Sequence, residues 1–294
     1  MESPLPFVGG VGPSRQRLPA GPWATVLEFL REWFPRVGGE VWVARMAGGR
    51  VLDEAGRPVG PSSPYRAGAC VFYYRELEAE PAVPFDEEVV YRDEHILVAD
   101  KPHFLPVAPA GRFLRETLLA RLRRAGAPDS LAPAHRLDRE TAGLVVFSLN
   151  PSTRGAYASL FQRREVRKVY EALAPRRDDL RLPLTRRSRV VRGEPFFRMR
   201  EVGGEPNSET RVESASDAGE GTKLYRLVPV TGRKHQLRLH LSALGIPVVN
   251  DRLYPSVRDD EEEFTRPLKL LARSLTFRDP LTGREHHFES GRRL

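Results

Sequence analysis

Apolar and polar positions change period several times along the chain, and each change predicts an element. Trp23, Val26, Leu27, Leu30 and the pair Trp33/Phe34 recur at helical spacing and stop at Pro35, which predicts a helix over 23–33. Short apolar pieces at 49–52 and 70–74, separated by turn-rich residues 53–68, read as strands. Together they predict a compact N-terminal domain over 21–77. Residues 1–20 are rich in proline and glycine without periodicity and predict a flexible tail. The acidic, proline-punctuated stretch that follows the domain predicts a linker over 78–84.

A second domain is predicted over 85–294. It opens with Val89-Val90-Tyr91, a turn at Asp93-Glu94 and the apolar strand 95–99, broken by Asp100-Lys101-Pro102. Leu118, Leu119 and Leu122 predict a helix over 115–125 with Gly126 as its stop. The run Leu144-Val145-Val146-Phe147, bounded by Gly143 and Asn150, reads as a buried strand, and Pro151 opens a helix to Gln162. Residues 166–174 alternate, placing Lys168 and Tyr170 on one strand face and Val169 and Leu173 on the other. At 231–247 the period lengthens again: Leu237, Leu241 and Leu244, with His240 beside them, follow a helix that Gly245 and Pro247 end. Thr231 to Lys234 then lie at or before that helix start, where free N–H groups attract anions.

Composition narrows the function classes. A chain of 294 residues with 40% hydrophobic and 29% charged residues matches a soluble globular protein. No apolar stretch approaches the roughly 18 residues of a membrane helix. The first residues lack the basic-then-apolar order of a secretory signal, and the single cysteine, Cys70, excludes a disulfide framework. A cytoplasmic monomer without a membrane partner is therefore expected. The net charge of +8 is unevenly spread: residues 101–200 carry 22 basic and 9 acidic side chains, whereas residues 1–100 carry 10 and 15. Arginine supplies most of that excess, and its planar fork matches phosphate oxygens. A polyanionic partner such as RNA is expected.

Candidate chemistry gathers in "LAPAHRLDRETAGLVVFSLN", residues 131–150, where His135, Arg136 and Asp138 stand directly before the buried strand. Taken alone, that is a loop with an Arg–Asp pair. Asp138 has no second carboxylate at glycosidase spacing, nothing around it resembles a metal ligand set, and His286-His287 lack ligating partners. GxGxxG, Walker and GxSxG motifs are absent. Any chemistry is therefore expected to run on a carboxylate, arginines, a tyrosine and histidines, with no metal or cofactor.

Ala134-His135-Arg136-Leu137-Asp138-Arg139-Glu140-Thr141-Ala142-Gly143-Leu144 resembles the HRLDxxTSGL signature of RluA-type pseudouridine synthases, with Ala142 for the usual serine. Asp100-Lys101-Pro102 resembles the family's "NKP", and Lys168 to Ala172 its "KxYxA". Thr231 to His240 resembles "TGRTHQIRVH", and Gly245 to Asp251 resembles "GhPIvGD", with Asn250 for a glycine. The likeness spans about residues 85–290; residues 178–222 match poorly, "LLARSL" at 270–275 replaces the usual "LHA", and 258–263 add an acidic patch.

The resemblance implies an α+β catalytic domain with a central mixed, largely antiparallel sheet and flanking helices. It implies isomerisation of uridine to pseudouridine in ribosomal or transfer RNA, with the target base flipped out of the stack. Asp138 would be the nucleophile, and Arg238 would pair with it and keep it ionised. Tyr170 would stack on the uracil and assist proton transfer. Arg136 would enter the vacated space in the stack, and His135, Lys168, Arg233, Lys234 and His235 would contact RNA. The N-terminal domain resembles a degenerate alpha-L-type RNA-binding module, and the net −5 over residues 1–100 suits phosphate poorly. The competing reading is a catalytically silent RNA-binding protein on the same fold.

Overall fold

Ala142–Ser148 is buried at every position, as a strand covered on both faces must be. In the computed structural model, which describes residues 4–75, 79–258 and 264–294, this segment is an inner strand of a large sheet. The chain forms two units: Met1–Glu80 with Gly111–Arg115, and Pro81–Ala110 with Glu116–Leu294.

The smaller unit runs β1 (Ser14–Arg17), α1 (Val26–Trp33), α2 (Gly39–Ala47), β2 (Val51–Leu52) and β3 (Cys70–Tyr73). Its strands form an antiparallel sheet in the order β1-β3-β2. Thr25 caps α1 by accepting the Glu28 N–H, and the Glu28 carboxylate accepts the Ala24 N–H in return. Phe29, Leu30, Trp42, Met46, Val51 and Val71 fill the core. Two expectations need correction. Residues 14–17 are not part of a free tail but an edge strand, paired with β3 and followed by the buried Leu18. Its four residues, Ser-Arg-Gln-Arg, are all polar, so no hydrophobic alternation betrays the strand. Nor is 78–84 a free linker: the Glu80 carboxylate accepts the N–H groups of Leu114 and Arg115, and Val83 is buried. Residue 78 of that stretch and residues 76–77 of the predicted domain before it lie outside the described residues, as do residues 259–263 of the acidic patch.

The larger unit comprises β4 (Glu88–Arg92), β5 (Ile96–Lys101), α3 (Leu118–Arg124), β6 (Ala132–Pro133), β7 (Ala142–Ser148), α4 (Arg154–Gln162), β8 (Arg167–Pro175), β9 (Leu184–Arg192), β10 (Met199–Val202), β11 (Ser208–Gly219), β12 (Thr222–Pro229), α5 (Gln236–Ala243), β13 (Leu270–Arg278) and β14 (Glu285–Glu289). Its sheet runs β10-β9-β11-β12-β8-β13-β7-β5-β4, with β14 on β13 and β6 on β7. Among the described residues only β7 and β13 pair in parallel. The architecture is thus α+β with a large mixed, mostly antiparallel sheet.

Local chemistry sets two boundaries differently from the apolar pattern. β5 continues through Asp100 and Lys101, which pair with Leu144 and Gly143, so Pro102 alone ends it. Helix α4 begins at Arg154 with Thr153 as its cap, not at Pro151. The Asn150 side chain accepts the N–H of Ser152 and forms an Asx turn that uses up those residues. No helix among the described residues is long and apolar enough to cross a membrane.

Candidate active site

The loop between β6 and β7 carries Asp138, and it is held from below. Val146 N–H donates to His135 Nε2 at 3.1 Å, and Ala134 N–H donates to Val146 O at 2.9 Å, which fasten the start of the loop to β7. Thr141 N–H donates to Asp138 O at 3.1 Å and closes its end. Beneath it Lys101, fully buried, donates from Nζ to the carbonyls of Pro102, Leu105 and, at 3.1 Å, Arg139. His103 Nδ1 donates to Glu140 O at 2.7 Å. Burial pulls the Lys101 ammonium down to about 7, although the Glu140 and Asp138 charges oppose that fall. Gly143 then lets the chain pass β13: its φ is +113°, and a Cβ there would lie 2.3 Å from Ala272 O.

Opposite the loop stands the start of α5. Gln236 organises the approach, donating to Glu209 O and Thr210 Oγ1 while accepting from Thr231 Oγ1 and the Arg233 N–H. The chain turns into the helix at His235, which is left-handed with φ of +54°. His240, one turn beyond Gln236, bonds Ser188, Ser208 and Thr210, and so seats α5 against β9 and β11. Burial brings His240 down to about 4, so it is neutral near pH 7.

Arg238 on the first turn of α5 is almost wholly buried, and its fork is closed on Asp251: Nε and Nη2 each donate to that carboxylate at 2.7 Å. The remaining nitrogen, Nη1, lies 3.5 Å from Glu140 and 3.9 Å from Asp138. The expected Arg238–Asp138 pair therefore exists only as a near contact; the strong bidentate partner is Asp251. Burial would raise the Glu140 carboxyl, but Arg238 and Arg139 outweigh it and hold it down to about 2. Asn250, ahead of Asp251, has φ of +63°, which explains why asparagine can stand where the family has glycine.

Asp138 is left 26% exposed, with no hydrogen bond to its carboxylate among the described residues. His235 Nε2 is 3.9 Å from its other oxygen, and burial lowers that imidazole against the pull of Asp138. Tyr170 projects from β8 nearby; burial and then the Asp138 charge push its hydroxyl up, so it stays protonated. Asp138, Tyr170, Arg238, His135, Arg136, Lys168, Arg233, Lys234 and His235 all line one cavity of about 560 Å³. Their settings differ. Arg136, Arg233 and Lys234 are exposed and Lys168 half-buried. His235 is buried, its Nδ1 engaged with the Tyr254 hydroxyl at 3.1 Å. His135 stacks on Phe161 at 4.2 Å and is occupied by the Val146 N–H, which makes it a support of the loop.

Sequence reasoning assigned no role to Asp251, Glu140, Lys101 or Tyr254. The first three stood inside the quoted motifs, and that position was their only signal; Tyr254 had none. What the arrangement offers chemically is an accessible carboxylate with free lone pairs, a guanidinium and an imidazole each 3.9 Å away, a protonated phenol and a basic rim.

The family model described as RNA pseudouridylate synthase matches residues 95–243. An uncharacterised RNA pseudouridine synthase of Synechocystis sp. is 30% identical over 243 residues, covering 78% of this chain and 79% of that protein. A dual-specificity RNA pseudouridine synthase of Vibrio vulnificus is 34% identical over 215 residues, covering 69% and 82%. The solved structure of human RNA pseudouridylate synthase domain containing 1 aligns over 73% of this chain and 86% of its own, at 29% identity and a TM-score of 0.58. With the signature loop, its facing helix and these likenesses in agreement, the chain belongs to the RNA pseudouridylate synthase family, in its RluA-type branch.

Proposed function

We propose that the protein isomerises specific uridines of structured RNA, ribosomal or transfer, to pseudouridine, with Asp138 as the nucleophile acting on a flipped-out base. The observation that carries this reading is the state of Asp138: a partly exposed carboxylate without hydrogen bonds, facing Arg238 and His235 across 3.9 Å. Its lone pairs are available to a substrate carbon. Attack at the sugar carbon or at the uracil ring accompanies loss of the bond between N1 and C1′. The uracil rotates, carbon 5 bonds to C1′ as the Asp138 carboxylate is released, and the proton that carbon 5 gives up is matched by one taken up at N1, so the product is an isomer of uridine. Tyr170 supplies a ring for the uracil to lie against and an ionisable hydroxyl beside the reacting carbons. Flipping brings the base into the cavity, since its reacting atoms are out of reach within a stack. Arg136, exposed on the cavity wall, fills the space that the base leaves, and Lys168, Arg233 and Lys234 contact the backbone. A silent RNA-binding protein has no use for a carboxylate kept unpaired in this way.

The test is Asp138→Asn, which keeps the shape of the side chain and removes the nucleophile. Pseudouridine formation, mapped in RNA from cells lacking the protein, should disappear while the variant still binds that RNA. Wild-type turnover in Asp138→Asn would overturn the mechanism. Tyr170→Phe separates ring from hydroxyl: retained turnover assigns the role to stacking, and lost turnover assigns it to proton transfer.

A further inference from the structure

The chemistry above uses nothing from the β9–β10 hairpin, yet its turn displays the most exposed of the large apolar side chains. Phe196 is 69% exposed. The turn is closed on itself: Gly193 N–H donates to Arg198 O at 3.0 Å, and Arg198 N–H donates to Pro195 O at 2.8 Å. The Phe196 ring leans on Phe197, with centroids 5.5 Å apart. A benzyl group held out in water on an ordered turn contributes little to folding, since burial is what stabilises it.

The turn is also tied to the cavity. Lys234, on the cavity wall, donates from Nζ to Phe197 O at 3.0 Å. Met199 N–H donates to the Tyr254 hydroxyl at 2.8 Å, and that hydroxyl meets His235 Nδ1 at 3.1 Å. Arg198 and Arg238 each lie over the Tyr254 ring, at 5.1 and 5.6 Å. Around the turn the exposed charges are Arg192, opposite Met199 in the hairpin register, and Arg233 and Lys234, with Glu194 as the turn's own carboxylate. Arg192 makes no ion pair among the described residues.

We propose that Phe196 is a substrate-contacting residue, on whose free face an unpaired base of the RNA next to the flipped uridine stacks, while Arg192 and Lys234 meet the adjoining phosphates. The proposal rests on the RNA-isomerase reading above and adds a contact outside the reacting cavity. Aromatic rings flanked by cations are how proteins hold unstacked bases, and such stacking is sequence-tolerant. The rigid link through Lys234 and Tyr254 fixes the distance between the stacked base and Asp138, so the hairpin selects RNAs whose target uridine has an unpaired neighbour.

The test compares Phe196→Ala and Phe196→Trp in the full-length protein, using total RNA from cells lacking the protein. Pseudouridine formation is followed under single-turnover conditions as enzyme concentration is varied. Phe196→Ala should raise the half-saturating concentration about fivefold or more, the low end of what one base–aromatic stack supplies, with the limiting rate within about twofold of wild type. Phe196→Trp should restore half-saturation, and the melting temperatures of all three proteins should agree. An unchanged half-saturating concentration in Phe196→Ala overturns the proposal, as does a defect confined to the limiting rate. If the wild type self-associates and Phe196→Ala does not, with half-saturation unchanged, the ring pairs copies of the chain instead. Binding of the same RNA by Asp138→Asn, against its Phe196→Ala double variant, reads the stack without turnover. The function and the stack can therefore fail separately.

Discussion

Arg238 shows how much of a site is decided by which partner a side chain spends its geometry on. Two of its nitrogens are used by Asp251 at 2.7 Å, so the guanidinium cannot swing, and only Nη1 is directed at Glu140 and Asp138. A fork held this way delivers a fixed charge about 4 Å from Asp138 and donates no hydrogen bond to it. Removing Asp251 leaves a buried guanidinium uncompensated, which costs about 3–5 kcal/mol. Asp251→Asn should therefore lose about that much stability in chemical denaturation, and its turnover should fall although Asp251 lies behind Arg238. Arg238→Lys should fail similarly, because one ammonium cannot reproduce two parallel bonds. Unchanged turnover in both variants would show that the fixed charge is dispensable. That Asp138, Tyr170 and Arg238 would share one cavity was legible because three of the motifs supply them. Asp251 was not, because a carboxylate in "PVVND" reads as a surface turn until the fold carries it under α5.

At the scale of elements, the legible ones are those whose burial is periodic. β7 is buried throughout and apolar up to Ser148, and α5 contains Leu237 and Leu241, two of the leucines whose spacing predicts it. The strands from β9 to β11 escape that signal. β9 reads LTRRSRVVR, and its inward face presents Ser188 to His240 and Arg186 to Glu201, so polar contacts do the work that apolar packing does elsewhere. α2 was not predicted either, because Gly38-Gly39 imitates a turn where the helix begins. The crossing of β7 and β13 gives the sharpest test at this scale. Gly143→Ala would need φ of +113° and a Cβ 2.3 Å from Ala272 O, so the parallel pairing that anchors the Asp138 loop must open. The variant should lose at least about 2 kcal/mol in denaturant unfolding, and its activity should fall with its folded fraction. A fully stable Gly143→Ala would mean that the two strands are not packed this closely.

Across the whole molecule the charge is divided unevenly along the sequence. Residues 1–100 carry 10 basic against 15 acidic side chains, and residues 101–200 carry 22 against 9. Many of the arginines in the second group are spent internally, as Arg163 is on Glu165, Arg176 on Asp178 and Arg177 on Asp179. Those left for a polyanion include the exposed Arg136 and Arg164 on the cavity wall, where Arg233 and Lys234 from later in the chain join them. Phosphate contacts release counterions, so each one lost should flatten the plot of log affinity against log salt by roughly 0.7–0.9. Replacing Arg164 and Arg233 together with alanine should therefore reduce the slope by about twice that. Replacing Arg36 and Arg66, exposed on the N-terminal unit, should leave it unchanged within error. The measurement is one salt titration of the full-length proteins on a single structured RNA. An equal reduction in both pairs would make the N-terminal unit a phosphate-gripping module, and the RNA path would then have to run across it.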